Sequence, residues 1–228
     1  MARRETDTES YHLQELSIAN SPGHRSHVMP PITNRHRHIL DVGCGAGQTL
    51  IASKLTTGVV ASGIDIDSDA LSLGRRIDAK IHFVRASGEA IPFRSDYFDL
   101  VVSRVALPFM NISRALAEMW RVLKDGGDLW VTLHPPSMAV KDLLGNLSRL
   151  ELKGAAYRLT VLANGMALHF SGKQFQIPLS RIPYESCQTN RGVITSLNRA
   201  GFDQVNIRRD KFFVVMAKKS QQTVGTPR

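Results

Sequence analysis

The chain has 228 residues, of which 43% are hydrophobic and 21% charged, with a formal net charge of +9. That size and balance fit one α/β domain of generous length and exclude a wholly disordered chain. A polar start with no apolar core after Arg3 and Arg4, no apolar run near the ~20 residues that span a bilayer, and only Cys44 and Cys187 argue against a secretory signal, a membrane span, a disulfide framework or a metal site. A soluble, cytoplasmic protein is expected.

Residues 1–37 read as an N-terminal arm with a loose beginning. The first strand is Ile39–Val42, and it breaks into the run Gly43-Cys44-Gly45-Ala46-Gly47-Gln48-Thr49. Glycines at alternate positions let the backbone take positive φ and lie directly against a ligand, and a helix opening near Ala46 turns free N–H groups toward it. The spacing is GxGxG, distinct from the GxGxxG of dinucleotide binders.

Further β-like runs follow at Val59–Ile64, Ile81–Arg85, Leu100–Ser103 and Leu129–Leu133. Helical patterns lie between them at Gln48–Leu55, Ser68–Arg76 and Ser113–Leu123. In the last of these, Ser113 reads as the cap, Leu116, Met119, Trp120 and Leu123 as the buried stripe, and Gly126-Gly127 as the stop. This alternation is that of a parallel sheet with crossover helices.

After Leu133 the alternation stops, and residues 138–189 read as an insert. Asp142–Leu162 has a helical stripe of leucines. Met166, Leu168 and Phe170, then Phe175 and Ile177, alternate about Ser171-Gly172 as a hairpin would. An insert of that length at the carboxyl edge of the sheet suits a lid or a dimerisation arm. Val193, Ile194, Leu197 and Ala200 then form a helix that Gly201 ends. Two alternating strands turn at Arg209-Asp210, which forces them antiparallel. The expected fold is a Rossmann-like, seven-stranded, mostly parallel sheet with a terminal antiparallel hairpin and a helical/hairpin insert after strand 5. The domain occupies 38–218, and residues 219–228 form a disordered tail.

Charge is unevenly spread: residues 41–137 sum to −1, residues 138–200 to +5 and residues 201–228 to +4. A basic last third suits either an anionic partner or a solvated surface.

Four pieces in order, ILDVGCGAGQT from Ile39, GIDID from Gly63, GEAIPFRSDYFDLVVSR from Gly88 and RVLKDGGDLWVT from Arg121, resemble the class I S-adenosylmethionine (SAM) dependent methyltransferases. The resemblance is to the group that includes the ubiquinone/menaquinone biosynthesis methyltransferases, and it spans residues 38–137 and 190–218. It implies SAM as cofactor, with Gly43, Cys44, Gly45 and Gly47 against its methionine part and Asp41 engaging its ammonium. Asp65, with Ile66 beside it, would take the ribose hydroxyls or, alternatively, cap the next helix, for which Asp67 also stands ready. Ser87 and Gly88 would meet the adenine, Ser87 standing where many relatives have Asp. Ser103 and Arg104 end the fourth strand at the pocket, with Arg104 meeting a substrate anion or solvent. Leu107-Pro108 departs from relatives that carry a histidine there, and no Asn/Asp-Pro-Pro-Tyr motif for a target nitrogen follows Ser103, which favours O- or C-methylation.

His134, at the end of the fifth strand, is the candidate base, since a hydroxyl or carbon acid must lose a proton. Tyr11, Tyr157, His169 and Tyr184 are weaker candidates. The expected acceptor is a small or lipid-like molecule. An RNA acceptor, from the basic last third, and a SAM-binding, non-catalytic partner subunit are the alternatives.

Overall fold

The structure, a computed structural model, describes residues 2–177, 180 and 182–220, with side chains from residue 8 onward. Seven strands form one sheet: β1 (His38–Val42), β2 (Val60–Asp65), β3 (His82–Arg85), β4 (Phe98–Ser103), β5 (Leu123–Leu133), β6 (Phe202–Arg208) and β7 (Phe213–Lys219). Their spatial order is β3-β2-β1-β4-β5-β7-β6. β1 pairs in parallel with β2 and β4, and β7 runs antiparallel to both β5 and β6. The order reverses at β1 and β4, so the chain diverges there and opens a crevice at their carboxyl ends.

The central strands are buried on both faces, and their alternation sorts two cores. Leu40, Val101, Leu129 and Val131 face α4 (Ile112–Val122) and α7 (Asn190–Ala200), where Leu116, Met119, Val193 and Leu197 meet them. Ile39, Leu100, Val102 and Trp130 face the opposite side, against Leu50 of α2 (Gln48–Ala52) and Leu71 of α3 (Ser68–Ile77). A third, small core of Ala139, Val161, Ile177 and Cys187 belongs to the insert alone.

Four expectations are corrected. The start of the chain forms α1 (Ala2–Ala19), an 18-residue helix that packs on α2 and α3. The glycine turn leads into an α2 of only five residues, so backbone N–H groups, and little macrodipole, face the crevice. Asn111, not Ser113, caps α4 by accepting from the Arg114 N–H, and Gly126-Gly127 lie within the long β5 instead of ending the helix.

The fourth correction concerns the insert, which is a helix pair, α5 (Pro136–Ser148) and α6 (Leu152–Ser171), with no hairpin among the described residues. Val161, Asn164, Gly165 and Leu168 are buried at a spacing of three to four, while Met166 and Phe170 are exposed, so the helical period overrides the apparent alternation. Ser171-Gly172, read as a hairpin turn, is the end of α6: Gly172 takes φ 65° and its N–H bonds the Leu168 carbonyl. The tail expected at 219–228 lies, from residue 221, outside the described residues. Among the described residues, no helix is long and apolar enough to cross a membrane.

Candidate active site

The turn after β1 is pinned to β2 by two bonds, as the N–H groups of Gly43 and Cys44 both donate to the Ile64 carbonyl at 2.8 and 3.0 Å. Gly43 sits at φ 74°, and a Cβ there would collide with Ala106 of the segment after β4. The next glycine N–H, that of Gly45, donates to Asp65 Oδ2 at 2.8 Å, while Asp65 Oδ1 accepts from the Asp67 N–H at 3.0 Å. The cap of α3 is Asp67, whose side chain accepts from the N–H groups of Asp69 and Ala70. Asp65 thus ties the glycine turn to the following loop with one lone pair of each oxygen and faces the cavity with the rest.

That cavity holds about 680 Å³ and is lined by Gly43, Cys44, Gly45, Asp65 and Arg104 of the expected residues. Gly47 does not line it, because a Cβ there would strike the Phe83 ring at 2.6 Å; its glycine serves close packing. Ser103 is buried, donating its hydroxyl to the Val42 carbonyl at 2.9 Å. Ser87 accepts from the Glu89 N–H at 3.1 Å, and Gly88 is covered by Met110 and Val42. Ile66 is 69% exposed beyond the lining. The Cys44 thiol is buried, and desolvation raises its pKa well above the usual range, so it is no nucleophile.

Arg104, on the cavity wall, is engaged within the chain. Its guanidinium is 10% exposed, donates to Thr49 Oγ1 at 3.3 Å and pairs with Glu15 of α1 at 3.1 Å. Behind it lies Asp41, fully buried and with Oδ1 lacking any hydrogen-bond partner among the described residues. Burial pushes its carboxyl up to about 7, against the opposing pull of Arg104. The helix α1 closes the cavity from above, with Tyr11, His12 and Glu15 in its lining and His12 Nδ1 2.8 Å from Gln48 Nε2. His12 and Glu15 were missed in the sequence; their spacing of three, on one helix face, was the available signal.

His134 follows β5, and its backbone is clamped by Gln188: the His134 N–H donates to Gln188 Oε1 at 3.0 Å and the Gln188 N–H to the His134 carbonyl at 2.7 Å. The Phe109 ring meets the imidazole edge-on at 5.3 Å. Desolvation lowers the His134 pKa, so the ring is neutral near pH 7. His134, Phe109 and Met138 also line a second cavity of about 490 Å³, roofed by α5, α6 and the returning segment.

The remaining base candidates separate clearly. Tyr11 lines the first cavity and Tyr157 the second, and burial raises both phenols, so both stay protonated. His169 is bonded to Thr189 Oγ1 at 2.8 Å, and neither it nor Tyr184 lines either cavity. The group at the polar end of the second cavity, Asp142, Arg158 and Glu185, carried no local motif and was not read from the sequence.

A family model described as a methyltransferase domain matches residues 40–131. The chain is 38% identical over 109 residues to a ubiquinone/menaquinone biosynthesis C-methyltransferase of Erwinia tasmaniensis, covering 42% of each chain. It is 35% identical over 99 residues to a malonyl-[acyl-carrier protein] O-methyltransferase of Enterobacter lignolyticus, covering 43% of this chain and 39% of that one. These alignments span about two-fifths of the length of each relative. Among solved structures, a SAM-dependent methyltransferase of Methanosarcina mazei shares the fold at TM-score 0.55 and 21% identity, covering 81% of this chain and 93% of that one. Residues 40–131 thus match a methyltransferase domain and resemble the ubiquinone/menaquinone biosynthesis C-methyltransferases, on a fold shared with a SAM-dependent methyltransferase structure and with the glycine turn tied to Asp65.

Proposed function

We propose that this chain methylates an O or C atom of a small or lipid-like molecule, with the cofactor in the first cavity and the acceptor in the second. The observation that carries this reading is their junction: His134, Phe109 and Met138 line both.

The residues present fit SAM. Asp65 has lone pairs facing the cavity for a ribose diol, whereas Asp41, sealed behind Arg104 and outside the cavity lining, would reach an ammonium only through an intervening group. Ile66, exposed at the end of β2, offers an apolar surface to a base. When bound, SAM supplies a methyl carbon already activated by its sulfonium, so the protein's task is alignment and proton removal. The clamp from Gln188 fixes the backbone of His134, and its neutral imidazole can take a proton from an acceptor hydroxyl or carbon acid. The helix α1 lies along the first cavity and is held there by the Glu15 to Arg104 pair.

A small acceptor is favoured over RNA by the second cavity, which sets the two carboxylates of Asp142 and Glu185 against the single guanidinium of Arg158. The test is release of S-adenosylhomocysteine from the full chain incubated with SAM and panels of quinols, phenols and fatty acids. Turnover with at least one panel member is expected, and His134→Gln should lower it by about 10²-fold or more while leaving SAM affinity unchanged. Turnover insensitive to that substitution removes His134 as the base. Tight SAM binding without turnover on any panel would favour the partner-subunit reading.

A further inference from the structure

The second cavity has two unlike ends. Phe109, Met138, Ala139 and Val161 form an apolar wall of this half-open space of about 490 Å³, whereas Asp142, Tyr157, Arg158 and Glu185 form its polar side. Glu185 is only 6% exposed. Its Oε1 accepts from Arg158 Nη1 at 2.8 Å, and its Oε2 accepts from the Tyr157 phenol. The second nitrogen of Arg158 faces Asp142 Oδ2 at 3.4 Å. Asn164, fully buried in α6, holds this arrangement: its Nδ2 donates to the carbonyls of Phe175 and Glu185, both at 3.1 Å, and its Oδ1 accepts from the Phe175 N–H at 2.9 Å.

The chemistry of this end is that of an acceptor of hydrogen bonds. A carboxylate offers about four lone-pair sites, and two of Glu185's are used. The guanidinium of Arg158 is shared between two carboxylates, which leaves it no unmatched charge for an incoming anion. A hydroxyl donating to Glu185 gains a charge-assisted bond, while a carboxylate or phosphate brought there would face two like charges.

We propose that the polar end of the second cavity selects the methyl acceptor, taking an uncharged molecule with an apolar body and a hydrogen-bond-donating hydroxyl, a phenol or alcohol and not a carboxylic acid or phosphate. This rests on the reading of that cavity as the acceptor side. Glu185 is then a specificity-determining residue: it receives the hydroxyl, Arg158 and Tyr157 orient its carboxylate, and the apolar body lies along Met138 and Val161 within the same cavity that His134 lines.

The experiment is titration calorimetry on the full chain saturated with S-adenosylhomocysteine, using 2-naphthol and 2-naphthoate as probes that share a body and differ in the head group. The neutral hydroxyl probe should bind at least about tenfold more tightly than the carboxylate. Glu185→Gln should shrink that preference to within about threefold. Equal or tighter binding of 2-naphthoate, no binding of 2-naphthol, or an unchanged preference in folded Glu185→Gln overturns the proposal. If Glu185→Gln does not fold, the preference of the unsubstituted protein decides. Methyl transfer is measured separately, so a protein that prefers 2-naphthol yet methylates nothing overturns the enzyme reading alone.

Discussion

The two cavities that meet at His134 are made of different material. The first cavity rests on a main-chain floor of strand ends and a glycine turn, tied to the next loop by one carboxylate and covered by side chains of α1. The second is built from side chains projecting off two helices and a returning segment, held by Asn164 and Gln188. A main-chain site leaves its mark as a contiguous motif, since the turn itself demands particular residues. A side-chain site gathers residues far apart in the chain, here Asp142, Tyr157 and Glu185, and leaves no local pattern.

The contrast predicts separable failures. The largest is expected for Asp65→Ala, which removes the acceptor of the Gly45 and Asp67 N–H groups together with the proposed acceptor for the ribose; SAM affinity by calorimetry should fall by about a hundredfold. Unchanged affinity would mean that Asp65 only braces the turn. Gly165→Ala breaks the other side, because a Cβ there would come within 2.6 Å of the Cys187 carbonyl oxygen and strike its sulfur. It should cost about 1–3 kcal/mol in chemical denaturation and weaken acceptor probes while leaving SAM affinity within about twofold. Equal damage to both ligands would join what the contrast separates.

A smaller effect is a pH signature confined to the cofactor side. Burial holds the Asp41 carboxyl at about 7, whereas an aspartate in the unfolded chain titrates near about 3.9. The native state therefore keeps a proton that the unfolded state loses. Its stabilising contribution is full below about pH 4 and is lost as pH rises through about 7. The Tm of the cofactor-free protein should fall between about pH 5 and about pH 8, and Asp41→Asn should flatten that part of the profile.

Much of the fold was legible because burial on two faces imposes its own pattern. Leu40 and Ile39 point to opposite cores, and the runs they belong to were visible as strands to within one or two residues. Gly201 and Gly172 both end helices, yet only Gly201 was read so. Around Gly172 a short stretch satisfied period 2 and period 3.6 together, and packing on Cys187 and α7 chose the helix.

By itself the sequence determined the strands, the antiparallel end and the glycine turn, since each follows from local sterics and strand periodicity, while the carboxylate opposite the turn was singled out by the family resemblance. Tertiary structure alone decided that α1 covers the first cavity through Glu15 and Arg104, that the insert is a helix pair, and that Glu185 is buried against Arg158 and Tyr157. Those outcomes depend on which distant side chains can satisfy one another once water is excluded, and that condition is met only when the chain has closed.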